Sequence, residues 1–231
     1  MDTLSALSMA LGTAWASGLN LYATVLLVGA LGSVGLVDLP PDLQVLTTPP
    51  VLITAGILCA LQFMADKVPG IDSLNDAVHT FIRIPAGALL AMGSMSGVAE
   101  PWQMAAALVL GGVVTAGTHA AKTGTRALIN TSPEPFTNWA ASFAEDILVF
   151  VGLMLALFQP VIFLLWMAAF TLFLIWFLPK LWRGLKALWR RLQGLSGQAE
   201  GTAGKTGSAL ARVMTGPPAE GRGPTPPAPM S

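Results

Sequence analysis

The stretch VIFLLWMAAFTLFLIWFL, from Val161 to Leu178, decides the class of this protein. It carries no charged side chain along its whole length. A helix that crosses the hydrocarbon core of a bilayer needs about 20 predominantly apolar residues, and this stretch comes close to that length. It therefore predicts a membrane-spanning helix.

The composition of the whole chain agrees with that prediction. Of 231 residues, 54% are hydrophobic and only 10% are charged, whereas soluble domains carry about 25% charged residues. The expected partner of this surface is therefore the lipid bilayer. Lys+Arg and Asp+Glu both number 12, so the net charge does not indicate a nucleic-acid partner, and we expect none.

Six stretches have the length and apolar character of spanning helices, which predicts an all-α integral membrane protein. They run at about Ala16–Val37, Pro50–Asp66, Arg83–Val98, Trp102–Ala121, Trp139–Phe158 and Val161–Leu178. The third is short on its own, and a polar helix extends it backwards. A tight turn at Gln159–Pro160 joins the fifth span to the sixth.

The basic residues all fall on one side of this arrangement. They flank spans two, three, four and six or lie in the tail: Lys67, Arg83, Lys122, Arg126, Lys180, Arg183, Lys186, Arg190, Arg191, Lys205, Arg212 and Arg222. The opposite loops, around Ser33–Pro49, Ala99–Trp102 and Gln159–Pro160, contain no Lys or Arg. Cytoplasmic loops carry the excess of basic residues, so both termini are expected in the cytoplasm.

The chain is predicted to divide into a transmembrane domain (1–179), a basic amphipathic helix beside the membrane (180–193) and a disordered cytoplasmic tail (194–231). In the second segment, Trp182, Leu185 and Trp189 lie on one helix face, with basic residues on another. We expect Lys180–Arg191 to contact anionic lipid. The tail is rich in Gly and Pro, a composition that does not build a packed core.

Two polar clusters lie in the first half of the chain. Ser17-Gly18-Leu19-Asn20 interrupts the first span. Such residues either break the helix and free backbone groups for a ligand, or only allow close helix packing. The second cluster begins with Asp66-Lys67 and continues with Asp72, Asp76, His79 and Arg83, whose spacings of four, three and four place these last four residues on one helix face.

Two more clusters follow in the second half. His119, Lys122 and Arg126 share a face at the end of span four, with Thr115 and Thr118 before them. Asn138, Ser142 and either Glu145 or Asp146 share a face of span five, where adjacent acids should face the protein interior and pair. The candidate residues for a substrate or proton path are Ser17, Asn20, Asp66, Lys67, Asp72, Asp76, His79, Arg83, His119, Lys122, Asn138, Glu145 and Asp146.

The second and fourth clusters suggest an internal duplication of a span-loop-span unit. Asn75 precedes Arg83 by eight residues, and Asn138 precedes Asp146 by eight. Each segment starts polar and becomes apolar. If the two units pack about a pseudo-axis, Arg83 and His79 are expected to meet Glu145 and Asp146.

Several motifs resemble a bacterial membrane protein family known as domain of unknown function 4126. They are SGLNLY at Ser17–Tyr22, ADKVPGIDS at Ala65–Ser73, HTFIRIPAGA at His79–Ala88 and NTSPEPFTNW at Asn130–Trp139, followed by Glu145-Asp146. The resemblance covers about Leu4–Leu178. The family commonly carries an aromatic residue near Leu74-Asn75, which this chain lacks. The resemblance implies a bacterial inner-membrane protein and supplies no activity.

Three functions remain open. Intramembrane ionisable residues and an interrupted helix fit a small transporter or channel-like protein, working as a homo-oligomer. A membrane enzyme acting on lipid headgroups is a second, in which Asp72, Asp76 and His79 hold a divalent metal with an acid of span five, and Arg83, Lys122 and Arg126 bind phosphate. A non-catalytic scaffold is the third. No catalytic residue or cofactor is assigned.

Overall fold

The computed structural model describes residues 1–67, 71–129 and 135–215. For residues 71–75, 77, 135, 138, 188 and 191–215, only the backbone is described. The chain divides into two compact units, Met1–Leu185 and Lys186–Ser231. All contacts given below lie within the first unit. In the second unit, the backbone is helical up to Thr215, whereas the sequence predicts a disordered tail from Gly194. The predicted domain boundaries stay predictions.

Every element in the described residues is helical. In chain order they are α1 (Thr3–Ser33), a short 3₁₀ helix (Pro41–Thr47), α2 (Pro49–Ala65), α3 (Ile71–Ser94), α4 (Pro101–Ile129), α5 (Pro135–Phe158) and α6 (Pro160–Thr215). The predicted turn at Gln159–Pro160 is present, since α5 ends at Phe158 and α6 begins at Pro160. The polar helix predicted before the third span is also present, as the first half of α3.

Four helices in the described residues are long and apolar enough to cross a membrane: Thr3–Ser33, Pro101–Ile129, Trp139–Phe158 and Pro160–Ala187. The 3₁₀ helix and α2 meet at an angle of 67° and together form a fifth candidate. The fold is therefore all-α with the helices of a multi-pass membrane protein. The number of apolar spans reaches four or five by this measure, against the six predicted from the sequence.

Helix α1 lies at the centre of the first unit. It packs against α2, α3, α4 and α5, and 61% of its most apolar window is buried, against 11% for α6. It also begins earlier than predicted, at Thr3 rather than Ala16, because Asp2 caps it by accepting a hydrogen bond from the Ser5 amide at 3.0 Å. Because α1 is central, side chains of the surrounding helices can contact it from several sides.

The centre of α1 is broken at Asn20. Its φ of −150° and ψ of 96° are extended rather than helical. The Asn20 side chain accepts a hydrogen bond from the Ala23 amide at 3.0 Å, as an N-cap residue does. The Ala23 amide is the group that an unbroken helix would direct to the Leu19 carbonyl. The break therefore frees that carbonyl for another donor in the middle of the protein.

Small residues set the distance between α1 and α4. A Cβ atom added to Gly18 would lie 2.7 Å from the Thr115 carbonyl oxygen and 2.7 Å from Thr118 Cβ. The Thr115 hydroxyl donates to the Ala14 carbonyl at 2.8 Å, which ties α4 to α1. Close backbone approach of this kind is typical of helix packing in membranes. It holds the end of α4 beside the break in α1.

Helix α6 packs at greater distance through aromatic rings. Trp15 of α1 meets Trp166 edge-on with ring centroids 4.8 Å apart, and Phe170 stacks on Trp166 at 5.5 Å. Most of the outward face of α6 consists of exposed apolar side chains such as Leu165 and Leu172. That face matches the lipid-facing surface expected of an outer helix in a bundle.

Candidate functional site

Four helices bring charged side chains to the broken part of α1. Asp66 and Lys67 follow α2, Asp76 and Arg83 belong to α3, Lys122 and Arg126 to α4, and Glu145 and Asp146 to α5. We call these eight residues the charge network. Four are basic and four are acidic, so the formal charges balance among the described side chains.

Lys122 is the centre of the charge network. Its ammonium donates to the freed Leu19 carbonyl at 3.0 Å and to Asp66 Oδ2 at 3.1 Å. Glu145 Oε2 lies 3.3 Å away and Asp76 Oδ1 3.7 Å away. The Lys122 side chain is only 2% exposed. A buried ammonium is tolerated where charge and hydrogen bonds compensate for lost water, and here three helices and the break in α1 supply them.

Arg126 forms the most directional pair of the network. Its Nε donates to Glu145 Oε1 at 3.0 Å and its Nη2 to Glu145 Oε2 at 2.8 Å, a two-point fork. Its Nη1 donates to the Asp66 carbonyl at 3.3 Å. Arg126 therefore holds the start of the α2–α3 connection to α5.

Arg83 and Asp76 lie two helical turns apart on the inner face of α3. Arg83 Nη1 donates to Asp76 Oδ1 at 2.8 Å, and both side chains are fully buried. His119 of α4 lies beside them, with Nδ1 3.3 Å from Arg83 Nη1 and Nε2 2.7 Å from the Thr80 hydroxyl. Of the four α3 residues predicted to share a face, Asp76 and Arg83 do so and lie toward α4, whereas His79 contacts Tyr22 of α1.

Lys67 and Asp146 form the loosest pair. Their charged atoms lie 4.0 Å apart, and the two side chains are 16% and 27% exposed. The Lys67 ammonium lies 2.9 Å above the Phe63 ring and 4.5 Å from the Phe143 ring, so two aromatic faces hold it. Burial lowers the pKa of Lys67, against the opposing effect of the Asp146 carboxylate.

Some buried polar atoms of the network have no hydrogen-bond partner among the described groups. They are Arg83 Nε, Arg83 Nη2, Asp76 Oδ2 and Asp146 Oδ2. Arg126 uses the same Nε and Nη2 edge to hold Glu145. The pairing is therefore complete at the Arg126 end and incomplete around Arg83, where buried donors and acceptors retain hydrogen-bonding capacity.

The remaining candidate residues lie around or outside the network. Asn20 forms the break in α1, whereas the Ser17 hydroxyl donates to the Thr13 carbonyl of its own helix at 2.6 Å. His79 packs edge-on against the Tyr22 ring, with centroids 5.6 Å apart. Asp72 lies on α3 and Asn138 on α5, and both side chains lie outside the described ones.

The predicted pairing of Arg83 with the acids of α5 is wrong. Arg83 pairs with Asp76 of its own helix, Glu145 pairs with Arg126 and Lys122, and Asp146 pairs with Lys67. The physical reason is the position of α4, whose last two turns extend past Ala121 and place their cations between α3 and α5. The cations that pair with the acids of α5 thus come from α4 and from Lys67.

Within the described side chains, no three His, Cys, Asp or Glu residues are grouped closely enough to hold a metal ion. The carboxylates of the network are instead engaged by Lys and Arg, as for Asp66 with Lys122 and Glu145 with Arg126. The predicted metal set includes Asp72, whose side chain lies outside the described ones. The described part of the site is a network of ion pairs.

Two cavities reach the network along different faces of α5. One, of about 360 Å³, lies between α1, α2 and α5 and ends at Asn20 and Asp146. The other, of about 310 Å³, lies between α1, α4, α5 and α6 and ends at Lys122 and Glu145. The rest of both walls is largely apolar. Each acid of the Glu145-Asp146 pair therefore faces a different cavity.

The motifs that surround this site match a known family. The family described as Domain of unknown function (DUF4126) matches residues 7–180. The chain belongs to this family. The match covers every residue of the charge network. The comparison with curated proteins and the comparison with solved structures each found no match to this chain. Membership of the DUF4126 family thus supports the resemblance drawn from the motifs and supplies no activity.

Thr80 and Ser142 join the site although neither is among the candidate residues. Thr80 bonds the Asp76 carbonyl and contacts His119, and Ser142 lies 3.4 Å from the Lys67 ammonium. Thr80 follows Asp76 by four residues, and that helical spacing is a signal that could have found it. Ser142 shares the face of α5 that holds the acids.

Proposed function

We propose that this chain is a small transport protein of the bacterial inner membrane, with the charge network as part of its substrate or proton path. The observation that carries the proposal is the break at Asn20 beside Lys122. Secondary transporters commonly build their sites from discontinuous helices, whose unwound carbonyls bind cations. Here the freed Leu19 carbonyl accepts from the Lys122 ammonium at 3.0 Å.

The free-energy cost of burying charged side chains supports the same proposal. Ionisable side chains at membrane depth are expensive, and where they occur they usually mark ion or substrate pathways. A network that only fixes structure gains most when all its members are satisfied. Around Arg83 several buried polar atoms lack partners among the described groups. That unused capacity suits water, a proton or a polar substrate.

The proposal includes six spans with both termini in the cytoplasm. Helix α3 has 24 residues, and at 1.5 Å per residue it extends about 36 Å, enough for a core of about 30 Å. Counting α2 and α3 as spans leaves the loops of the opposite side without Lys or Arg, as the positive-inside rule requires, with Arg83 inside α3 itself. The span-loop-span duplication belongs to this proposal.

Proton movement is the first activity to test. The full chain is reconstituted in liposomes that contain a pH-sensitive dye, and a potassium diffusion potential drives protons inward. We expect acidification faster than in protein-free liposomes, reduced by His119→Gln and by Asp146→Asn. Asp38→Asn changes an exposed acid outside the charge network and is the matched control. Flux equal to that of empty liposomes would remove the proton path.

A scaffold role is the second candidate, favoured by the balance of four basic and four acidic side chains. If the charges only fix helix registry, joint replacement by apolar residues of similar volume should be neutral or stabilising. The double variant Lys67→Met with Asp146→Leu distinguishes the two roles, because neither residue shares its ion pair with Lys122 or Arg126. A scaffold keeps its assembly and stability, whereas a transporter keeps its fold and loses flux.

Two partner proposals accompany these functions. The segment Lys180–Arg191 contacts anionic lipid. Quenching of tryptophan fluorescence by brominated phosphatidylglycerol in nanodiscs measures this contact, and it should weaken when the basic residues of this segment are changed to Gln. The exposed apolar side chains of α6 suit a second copy of the chain or lipid. Mass photometry of the protein in nanodiscs gives the oligomeric state, and a monomer at all lipid ratios contradicts the homo-oligomer.

A further inference from the structure

The cavity between α1, α2 and α5 has the size and wall of a ligand site. Its volume is about 360 Å³, within the range of about 300–1,000 Å³ found for small-molecule pockets. Its wall is apolar, from Leu26 and Leu27 of α1 to Val149 and Phe150 of α5, apart from the Cys59 thiol and the polar groups at one end. Such a space takes an apolar molecule with one polar point.

The polar end of this cavity is acidic. Asp146 lies in the wall beside Asn20, whose side chain hydrogen-bonds the carboxylate. The second oxygen, Asp146 Oδ2, has no hydrogen bond among the described groups. The nearest cation is the Lys67 ammonium, 4.0 Å away, whereas the other ion pairs of the network are as short as 2.8 Å. The carboxylate at the end of the cavity is thus only partly neutralised.

We propose that this cavity binds a hydrophobic monovalent organic cation, an amine or quaternary ammonium, whose charge lies against Asp146 and the Phe63 ring. Phe63 lines the cavity and also carries the Lys67 ammonium on its face. Aromatic faces bind quaternary ammonium groups by cation–π attraction. Lys67 is not among the residues of the cavity wall, so its ammonium contacts Asp146 and Phe63 from outside the cavity. A ligand cation competes with it for Asp146, where the contact of Lys67 is long and partly exposed.

Two further cavities among the described residues lack this combination. The cavity that ends at Lys122 and Glu145 presents an acid already held by Arg126 through two hydrogen bonds. A third cavity, of about 560 Å³ between α1, the 3₁₀ helix, α2 and α3, has one acid, Asp42. Asp42 is exposed, and water there weakens the attraction between its carboxylate and a bound cation. Charge complementarity thus favours the cavity at Asp146.

The chain offers its own probe of this site. Cys59 is its single cysteine and lies in the wall of the same cavity. The full chain in detergent is treated with a maleimide in the presence of tetraphenylphosphonium, a hydrophobic cation, or of tetraphenylborate, an anion of the same shape. With the cation at about ten times its Kd, the alkylation rate of Cys59 should fall about tenfold. The anion should protect far less.

Variants separate charge from apolar partition. Asp146→Asn should weaken binding of tetraphenylphosphonium, measured by equilibrium dialysis, about tenfold to hundredfold, and Asp146→Glu should restore part of it. Lys67→Gln should strengthen binding, because the internal competitor is gone. Asp42→Asn, in the wall of the third cavity, is the matched control and should change nothing.

Each alternative outcome contradicts the inference. Equal protection by cation and anion, unchanged binding in Asp146→Asn, or binding that leaves Cys59 fully reactive would each place the probe elsewhere. If Asp146→Asn does not fold, two measurements still test the inference. They are the comparison of cation with anion on the wild-type chain, and the binding of the cation by the Lys67→Gln variant. For a role in transport, the inference rests on the proposed function. Binding without uptake into liposomes removes only that function, and proton flux without binding removes only the ligand site.

Discussion

Replacing Lys122 by Met should cost more stability than any other single change in the charge network. The Lys122 ammonium lies within 3.3 Å of the Leu19 carbonyl, Asp66 and Glu145. Methionine fills similar volume but leaves these acceptors facing one another without their cation. Removing one partner of a buried ion pair costs about 3–5 kcal/mol. We expect a value near the upper end, because several acceptors share this one donor.

The matched control is Lys67→Met, since Lys67 carries the same charge in a looser and partly exposed pair. Its removal should cost about 0–1 kcal/mol. Thermal unfolding in detergent, followed by tryptophan fluorescence, compares the two. For a chain of this size 1 kcal/mol shifts the melting temperature by about 2–4 °C, so the Lys122 variant should melt about 6–20 °C lower. A Lys122 variant no less stable than the Lys67 variant would refute the reasoning.

Three further changes test the elements around the network. Asn20→Ala removes the cap at the break in α1 and should cost about 0.5–2 kcal/mol in the same unfolding assay, whereas an unchanged stability means that the break needs no cap. Gly18→Ala places a Cβ 2.7 Å from the Thr115 carbonyl oxygen and should cost about 1–3 kcal/mol. Gly56→Ala, with only a Leu26 atom at 3.9 Å, should be nearly neutral. Arg126→Lys keeps the charge and loses the fork to Glu145, so its melting temperature should fall while Arg126→Met falls further. Equal values for Lys and Met would mean that the fork contributes nothing.

Residue spacing within single helices predicted much of the site. Asp76 and Arg83 do share one face of α3, and Lys122 and Arg126 share one face of α4, because a helix fixes which residues align. The sequence at Ser17-Gly18-Leu19-Asn20 fits either a helix break or close helix packing. Both occur, at different residues: Asn20 breaks the helix, and Gly18 packs against α4.

Pairing between helices could not be predicted in the same way. The partner of Glu145 depends on the depth at which α4 and α5 lie beside each other, which no local pattern encodes. The apolar pattern also predicts too short a fourth helix, because the last two turns of α4 carry charged residues and the pattern ends near Ala121. Those turns hold Lys122 and Arg126. The charged residues that end the apolar pattern of α4 are therefore the same residues that form the centre of the site.

The network is strong at its centre and weak at one edge, and this difference constrains any conformational cycle. Lys122 and Arg126 join three helices through contacts of 2.8–3.3 Å with their acids. Separating those helices would cost several kcal/mol at each pair. The Lys67–Asp146 pair, at 4.0 Å and partly exposed, opens for about 1 kcal/mol or less. Movement should therefore keep α4 and α5 together and occur where Lys67 leaves Asp146, at the end of the cavity that contains Cys59.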